Sequence, residues 1–149
     1  MLRYMKESDL PQVCAIEESC FSRPWSRDSL AKALSDVNNV YTVAVREDGK
    51  IGGYCGIWGV GQTGEICNMA VDISARSCGI GRTLLQFTLD VCRRNGIKEF
   101  TLEVRESNLH ARSLYEHMGF VCEGVRRGYY SLPTEDAMIM WLRDNKSKS

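Results

Sequence analysis

The chain has 149 residues, enough for one domain that buries roughly 68–70% of its unfolded surface and too few for two comfortable ones. Its 19 basic and 19 acidic residues cancel without any long basic block, which argues against a nucleic-acid backbone as the main partner. Seven cysteines, odd in number, widely spaced and without a Cys-x-x-Cys pair, argue against a disulfide framework and against a zinc site. A metal-free cytoplasmic protein is expected, with no charged-then-apolar leader and no apolar run near 18 residues to indicate secretion or a membrane.

Residues 2–5 have the pattern of a first strand. Ser8 is placed to cap a helix that tolerates Pro11 in its first turn and buries Leu10, Val13, Cys14 and Cys20. Phe21-Ser22-Arg23-Pro24-Trp25-Ser26 breaks that helix, and Ser26 can cap a second one to about residue 34. Phe21 and Trp25 then sit on a loop, either pinning the two helices or serving recognition. From residue 40 the period becomes two: strands over 40–46 and 51–60 form a hairpin about Glu47-Asp48-Gly49, and Gly52, Gly53 and Gly56 mark a bulge or a close backbone approach. After a turn at 61–64, residues 65–71 form a central strand that stops at Asp72. The loop Arg76-Ser77-Cys78-Gly79-Ile80-Gly81 follows, then a helix whose Ile80, Leu84, Leu85, Thr88, Val91 and Cys92 share one stripe until Asn95-Gly96 ends it. Residues 99–104 form a strand, Ser107-Asn108 opens a helix to about residue 118, and Gly119 ends it. Strands over 121–129 and 137–142, joined by a loop with Pro133, close one domain over 1–143, with a polar tail over 144–149.

Strands alternating with helices after an antiparallel hairpin predict an α/β fold: a mixed sheet with helices on both faces. The strand, glycine loop and helix over 65–95 leave the first helix amides free and let a ligand approach them, an arrangement that favours phosphate. A tight turn before an ordinary amphipathic helix fits the same residues. A dinucleotide fingerprint would need glycine at Leu84, and the chain has no Gly-Lys-Ser/Thr ending. Phe100, Leu102 and Val104 share one face of their strand, so Glu103 faces a cleft between the strands ending at 71 and 104. A shielded carboxylate there could act as a general base, or be plain solvated surface. Tyr115 shares a stripe with Ala111, Leu114 and Met118, as a core tyrosine or as a phenol turned to use.

The run from Met69-Ala70-Val71 through Arg76-x-x-Gly79-x-Gly81 resembles motif A of the GNAT acetyltransferases. Four further runs, Glu103-Val104-Arg105-Glu106-Ser107-Asn108, Leu114-Tyr115-Glu116-x-x-Gly119-Phe120, Arg126-Arg127-Gly128-Tyr129-Tyr130 and Glu135-Asp136-Ala137-Met138-Ile139-Met140, with Pro24-Trp25-Ser26, resemble the RimI-type ribosomal-protein-alanine N-acetyltransferases of that superfamily. The resemblance covers nearly the whole chain. It implies a GNAT-like sheet, mostly antiparallel with one splayed parallel pair, and transfer of acetyl from acetyl-CoA to the α-amine of a protein N-terminus. It implies that Glu103 is the base and Tyr115 the acid at the CoA thiolate. Met69, Ala70 and Val71, freed by a bulge near them, would hold the thioester carbonyl. Arg76, Ser77, Cys78, Gly79, Ile80, Gly81 and Arg82 would hold the pyrophosphate, and Asn108 would bond the cofactor and cap its helix. Ser77 and Cys78 stand where relatives often carry a further basic residue, which leaves the diphosphate to the amides, Arg76 and Arg82. Trp25, Tyr130, Glu135 and Asp136 would frame the acceptor, a ribosomal protein for the leading case. Two other functions remain open from the residues: a GNAT enzyme of lysine, polyamine or another small amine, and an idle acyl-CoA-binding domain. At the helix N-terminus, Cys78 is expected to be a reactive thiol that CoA shields, or else a buried and inert one.

Overall fold

Period-two segments dominate the chain, and in the computed structural model, which describes residues 1–76 and 78–143, they join in one sheet. The strands are β1 (Leu2–Tyr4), β2 (Asn39–Val45), β3 (Ile51–Val60), β4 (Thr63–Val71), β5 (Glu99–Arg105), β6 (Val121–Tyr130) and β7 (Glu135–Arg143). Their order is β1-β2-β3-β4-β5-β7-β6, and only the β4–β5 pair is parallel. This is the expected mixed sheet with one parallel pair. The helices are α1 (Leu10–Cys20), α2 (Arg27–Ser35), α3 (Ile80–Arg94) and α4 (Leu109–His117). Ser77 and the 144–149 tail lie outside the described residues. Among the described residues no helix is long and apolar enough to cross a membrane.

Helices cover both faces because each has a stripe to bury. Leu84, Leu85 and Leu89 of α3 and Tyr115 of α4 pack on Ile57, Ile66, Phe100 and Leu102. On the other face Leu10, Val13 and Ile16 of α1 and Leu30 of α2 pack on Tyr41, Val43, Tyr54 and Ala70. Removing each leucine, isoleucine, valine or phenylalanine among them from water stabilises the fold by about 1.5–3 kcal/mol.

Two details of the N-terminal half differ from expectation. Ser8 does not cap α1. A 3-10 turn over Glu7–Asp9 precedes the helix, and the Asp9 carboxylate reaches back to accept from the Lys6 N–H at 2.7 Å and from Arg3 at 2.8 Å. A cap at Ser8 would have to accept from the N–H of Leu10 or Pro11, and Pro11 has none. Cys14 and Cys20 are only partly buried, and the fully buried polar residue of the stripe is Glu17. Ser26 does cap α2, accepting from the Ser29 N–H at 3.1 Å.

The β3 glycines prove to be both bulge and close approach. Ala44 pairs with Gly53 and Val45 with Ile51, which leaves Gly52 as an extra residue. Gly56 lies opposite Tyr41, whose ring crosses it to donate to Asn68 Oδ1 at 2.7 Å; a Cβ on Gly56 would sit 2.2 Å from that ring. Gly56→Ala is therefore expected to cost about 2–3 kcal/mol, a fall of roughly 5–12 °C in Tm by differential scanning calorimetry.

Candidate active site

β4 and β5 pair at only three positions, Thr63 with Glu99, Gly64 with Phe100 and Glu65 with Thr101, although the strands continue to Val71 and Arg105. The cause lies on the other edge of β4. Gly56 pairs with Asn68 and Ile57 with Ile66, so Cys67 is an extra residue in the ladder, and a bulge bends and twists its strand. The bulge expected near Met69 to Val71 is thus corrected to Cys67. It also exchanges the faces: Ile66 packs with Leu102 beneath α3, while Ala70 packs beneath α1 and Met69 returns to the α3 side. Asp72 donates its N–H to Gly52 of β3 at 2.8 Å. By alternation the Ala70 amide also faces β3, and the amides of Met69 and Val71 face the gap beside β5. The gap therefore receives two of the three expected backbone donors.

Two cavities meet at this gap. One, of about 550 Å³, is lined by Met69, Ala70, Val71, Arg76 and the α3 start from Gly79 to Arg82. The other, of about 520 Å³, is lined by Glu65, Glu103, Trp25, Tyr129 and Tyr130. Cys20, Phe21, Met69, Asn108, Ala111 and Tyr115 line both.

In the first cavity, Gly79 takes φ +78°, a left-handed conformation open to glycine, and turns the chain into α3. Thr83 is the first residue whose N–H closes on the loop, bonding the Gly79 carbonyl at 3.1 Å, so the amides of Ile80, Gly81 and Arg82 precede the helical ladder. A Cβ on Gly81 would lie 3.3 Å from Val71 Cγ2, so this glycine lets α3 start against the end of β4. Arg76 Nε donates to the Val71 carbonyl at 3.1 Å. Asn108 Oδ1 accepts from the Ala111 N–H at 3.1 Å and caps α4, as expected. Cys78 is exposed beside Gly79, and Ser77 lies outside the described residues.

In the second cavity, the Glu103 side chain is 17% exposed and pairs with Arg126 Nε at 2.9 Å. Burial pushes the Tyr129 phenol up, and the adjacent Glu103 carboxylate pushes it further. Burial, then Glu103, likewise hold the Glu65 carboxyl above the usual range, with Arg126 acting the other way. Tyr130 is pushed up to about 12 by burial and lies under Arg105, whose guanidinium is 4.4 Å from its ring. Tyr115 is 6% exposed, edge-on to Phe120, and burial pushes its phenol up. Glu135 and Asp136 do not line this cavity. Glu135 is taken by the Ser107 N–H and Arg105, and Asp136 by the Gly128 N–H at 2.8 Å and by Arg127. Glu135 staples the β6–β7 hairpin to β5 and the turn before α4, and Asp136 ties β7 to β6.

A carboxylate on one side of a gap, a protonated phenol in the gap and free amides at its edge suit proton transfer coupled to attack on a carbonyl. Residues 10–120 match the Acetyltransferase (GNAT) family. The chain belongs to that family. GNAT enzymes draw their acyl group from acetyl-CoA, and this chain is an acetyl-CoA-dependent N-acetyltransferase. It is 35% identical over 97% of its length, and 96% of the other's, to a Bacillus subtilis protein named provisionally as a ribosomal protein bS18-alanine N-acetyltransferase. It is 33% identical to the Escherichia coli K12 enzyme of that name, over 93% of each chain. The crystal structure of the ribosomal-protein-S18-alanine N-acetyltransferase from Escherichia coli superposes with a TM-score of 0.88 at 31% identity, covering 96% of this chain and 92% of that one.

The GNAT match takes in the glycine loop, Glu103 and Tyr115 but stops before Tyr129 and Tyr130. Sequence reasoning missed Glu17 and Glu65. Each had a signal: Glu17 sits one turn beyond Val13 on a buried stripe, and Glu65 shares the strand face that its register with Thr101 gives to Glu103. Of the seven thiols, Cys78 and Cys122 are exposed, and burial pushes Cys55 up to about 12 and Cys67 and Cys92 up to about 11. Alkylation followed by mass spectrometry should label Cys78 and Cys122 first, and CoA should slow Cys78 but not Cys122; equal labelling of all seven would contradict the burial.

Proposed function

We propose that the protein acetylates the α-amine of a protein N-terminus in the cytoplasm by direct attack within a ternary complex. The names of its relatives point to the N-terminal alanine of ribosomal protein bS18 as acceptor. The observation that carries this reading is the meeting of two cavities at the β4–β5 gap, one ending at the α3 amides and the other holding Glu103, with Tyr115 common to both.

Acetyl-CoA supplies an activated acyl group. The α3 amides from Ile80 to Arg82, with Arg76 and Arg82, are the anion-binding elements for its diphosphate, and Asn108 is a polar neighbour along the same cavity. The Met69 and Val71 amides are donors for a carbonyl oxygen that gains negative charge as nitrogen attacks. Glu103 takes a proton from the incoming ammonium, directly or through water, since only the neutral amine is nucleophilic. As the C–N bond forms and the C–S bond breaks, the Tyr115 phenol, which borders both cavities, would donate to the departing sulfur. Trp25, Tyr129 and Tyr130 form walls for the first residues of the acceptor.

The test is an acetyl-transfer assay with an alanine-initiated peptide, the same peptide with a blocked N-terminus and an internal lysine, and spermidine. Preference for the free α-amine by about 10²-fold in kcat/KM near neutral pH is expected, because model amine pKa values of about 7.7–8.0 and 10.4 differ by over two units. Equal rates would indicate a lysine or polyamine enzyme, and CoA binding without transfer to any amine would indicate an idle domain. The ascending limb of kcat/KM should move when a peptide of different amine pKa is used.

A further inference from the structure

α1 buries a carboxylate where its stripe calls for hydrocarbon. Glu17 follows Leu10, Val13 and Ile16 on the covered face and is 2% exposed. Both oxygens are engaged: Oε1 accepts from the Tyr54 hydroxyl of β3, and Oε2 accepts from the Trp25 backbone N–H at 2.9 Å. Among the described residues no cation pairs with it. An uncompensated buried carboxylate is costly, and an apolar residue of similar volume would fill the same space without that cost. What a hydrocarbon cannot do is accept two hydrogen bonds from opposite sides.

The two bonds lead to different places. Tyr54 belongs to the sheet, whereas Trp25 lies on the loop between α1 and α2, whose Ser22, Arg23 and Trp25 line the 520 Å³ cavity and not the other, as does Glu17 itself, while Phe21 borders both. The loop's other ties, Arg23 to Ser131 at 2.6 Å and Arg105 to Ser22 at 3.5 Å, are exposed and join it to the β6–β7 turn. Among the described residues, Glu17 is the side chain whose hydrogen bond fastens it from the inside. We propose that Glu17 is a positioning residue for the acceptor: its carboxylate bolts Trp25 and the α1–α2 loop to β3, so that affinity for the acceptor, more than for acetyl-CoA, depends on its charge. This rests on the assignment of the 520 Å³ cavity to the acceptor.

Glu17→Gln tests the charge with volume conserved: the amide oxygen can still accept from the Trp25 N–H and the Tyr54 hydroxyl can turn to accept from the amide N–H, so both bonds become neutral ones. KM for an alanine-initiated octapeptide is expected to rise by about tenfold, the scale of two charge-assisted bonds exchanged for neutral ones. KM for acetyl-CoA and kcat at saturating peptide should stay within about threefold. Hydrogen exchange, which needs no acceptor, should show the Trp25 amide exchanging faster while the α3 amides keep wild-type rates. Tyr54→Phe, which leaves the Trp25 bond, should shift both readouts less. If Glu17→Gln does not fold, Glu17→Asp takes its place, with the charge kept and the reach shortened, and the same split is expected. An unmoved peptide KM, or equal losses in peptide KM, acetyl-CoA KM and kcat, would overturn the role of Glu17. A wild type that acetylates no amine would instead overturn the acceptor assignment, and the inference with it.

Discussion

Glu103→Gln is expected to lower kcat by about 10²–10⁴-fold and leave acetyl-CoA affinity within about twofold, the first read by steady-state kinetics and the second by calorimetry. The substitution preserves shape and removes only the capacity to take up a proton. CoA affinity should hold because Glu103 lines the acceptor cavity and not the one beside the α3 amides. Glu103 has a second occupation, the 2.9 Å pair with Arg126, whose side chain is 58% exposed. If holding Arg126 were its whole role, Arg126→Met would reproduce the kinetic loss. An exposed pair is worth about 1 kcal/mol at most, less than tenfold in rate, so the two origins separate by magnitude. A loss below threefold for Glu103→Gln would return the residue to that surface pair.

Features carried by short stretches of chain are legible in the sequence alone. The α3 stripe, the Ser26 and Asn108 caps, and the alternation that turns Glu103 away from Phe100, Leu102 and Val104 each depend on residues within a few positions of one another. Placing Tyr115 on the buried side of α4 used the same periodicity. What stayed hidden depends on distant partners. The Cys67 bulge is defined by the register of β4 against β3, and strand sequences carry register weakly when glycines interrupt them. Without that bulge the alternation would give Met69 and Val71 to the other face. Glu17 meets Tyr54 across 37 residues of sequence, and Glu135 meets the Ser107 amide across 28. A charged pair at the end of a strand carries no local sign of whether it faces a ligand or staples a hairpin.

Tyr115→Phe is expected to lower kcat by about 10²-fold, the lower end of what a positioned acid contributes, with peptide and acetyl-CoA affinities little changed. The modest figure follows from the environment. The ring is buried against Phe120, and burial pushes the phenol above its ordinary value of about 10 by disfavouring the phenolate. A model thiol near 8.5 is the stronger acid in water, so full proton transfer from this phenol to a departing thiolate is uphill unless the same burial also raises the thiol. Donation of a hydrogen bond that strengthens as charge grows on sulfur needs no such match and still favours the transition state over the ground state. The sign of the pH dependence follows. A group competent when protonated, with its pKa raised, stays competent throughout the range below that pKa. The wild-type rate should therefore hold steady from about pH 8 to 10 once the acceptor amine is neutral, with no descending limb from Tyr115. A descending limb in that range that disappears in Tyr115→Phe would show that the phenol ionises there, against the burial that holds it protonated.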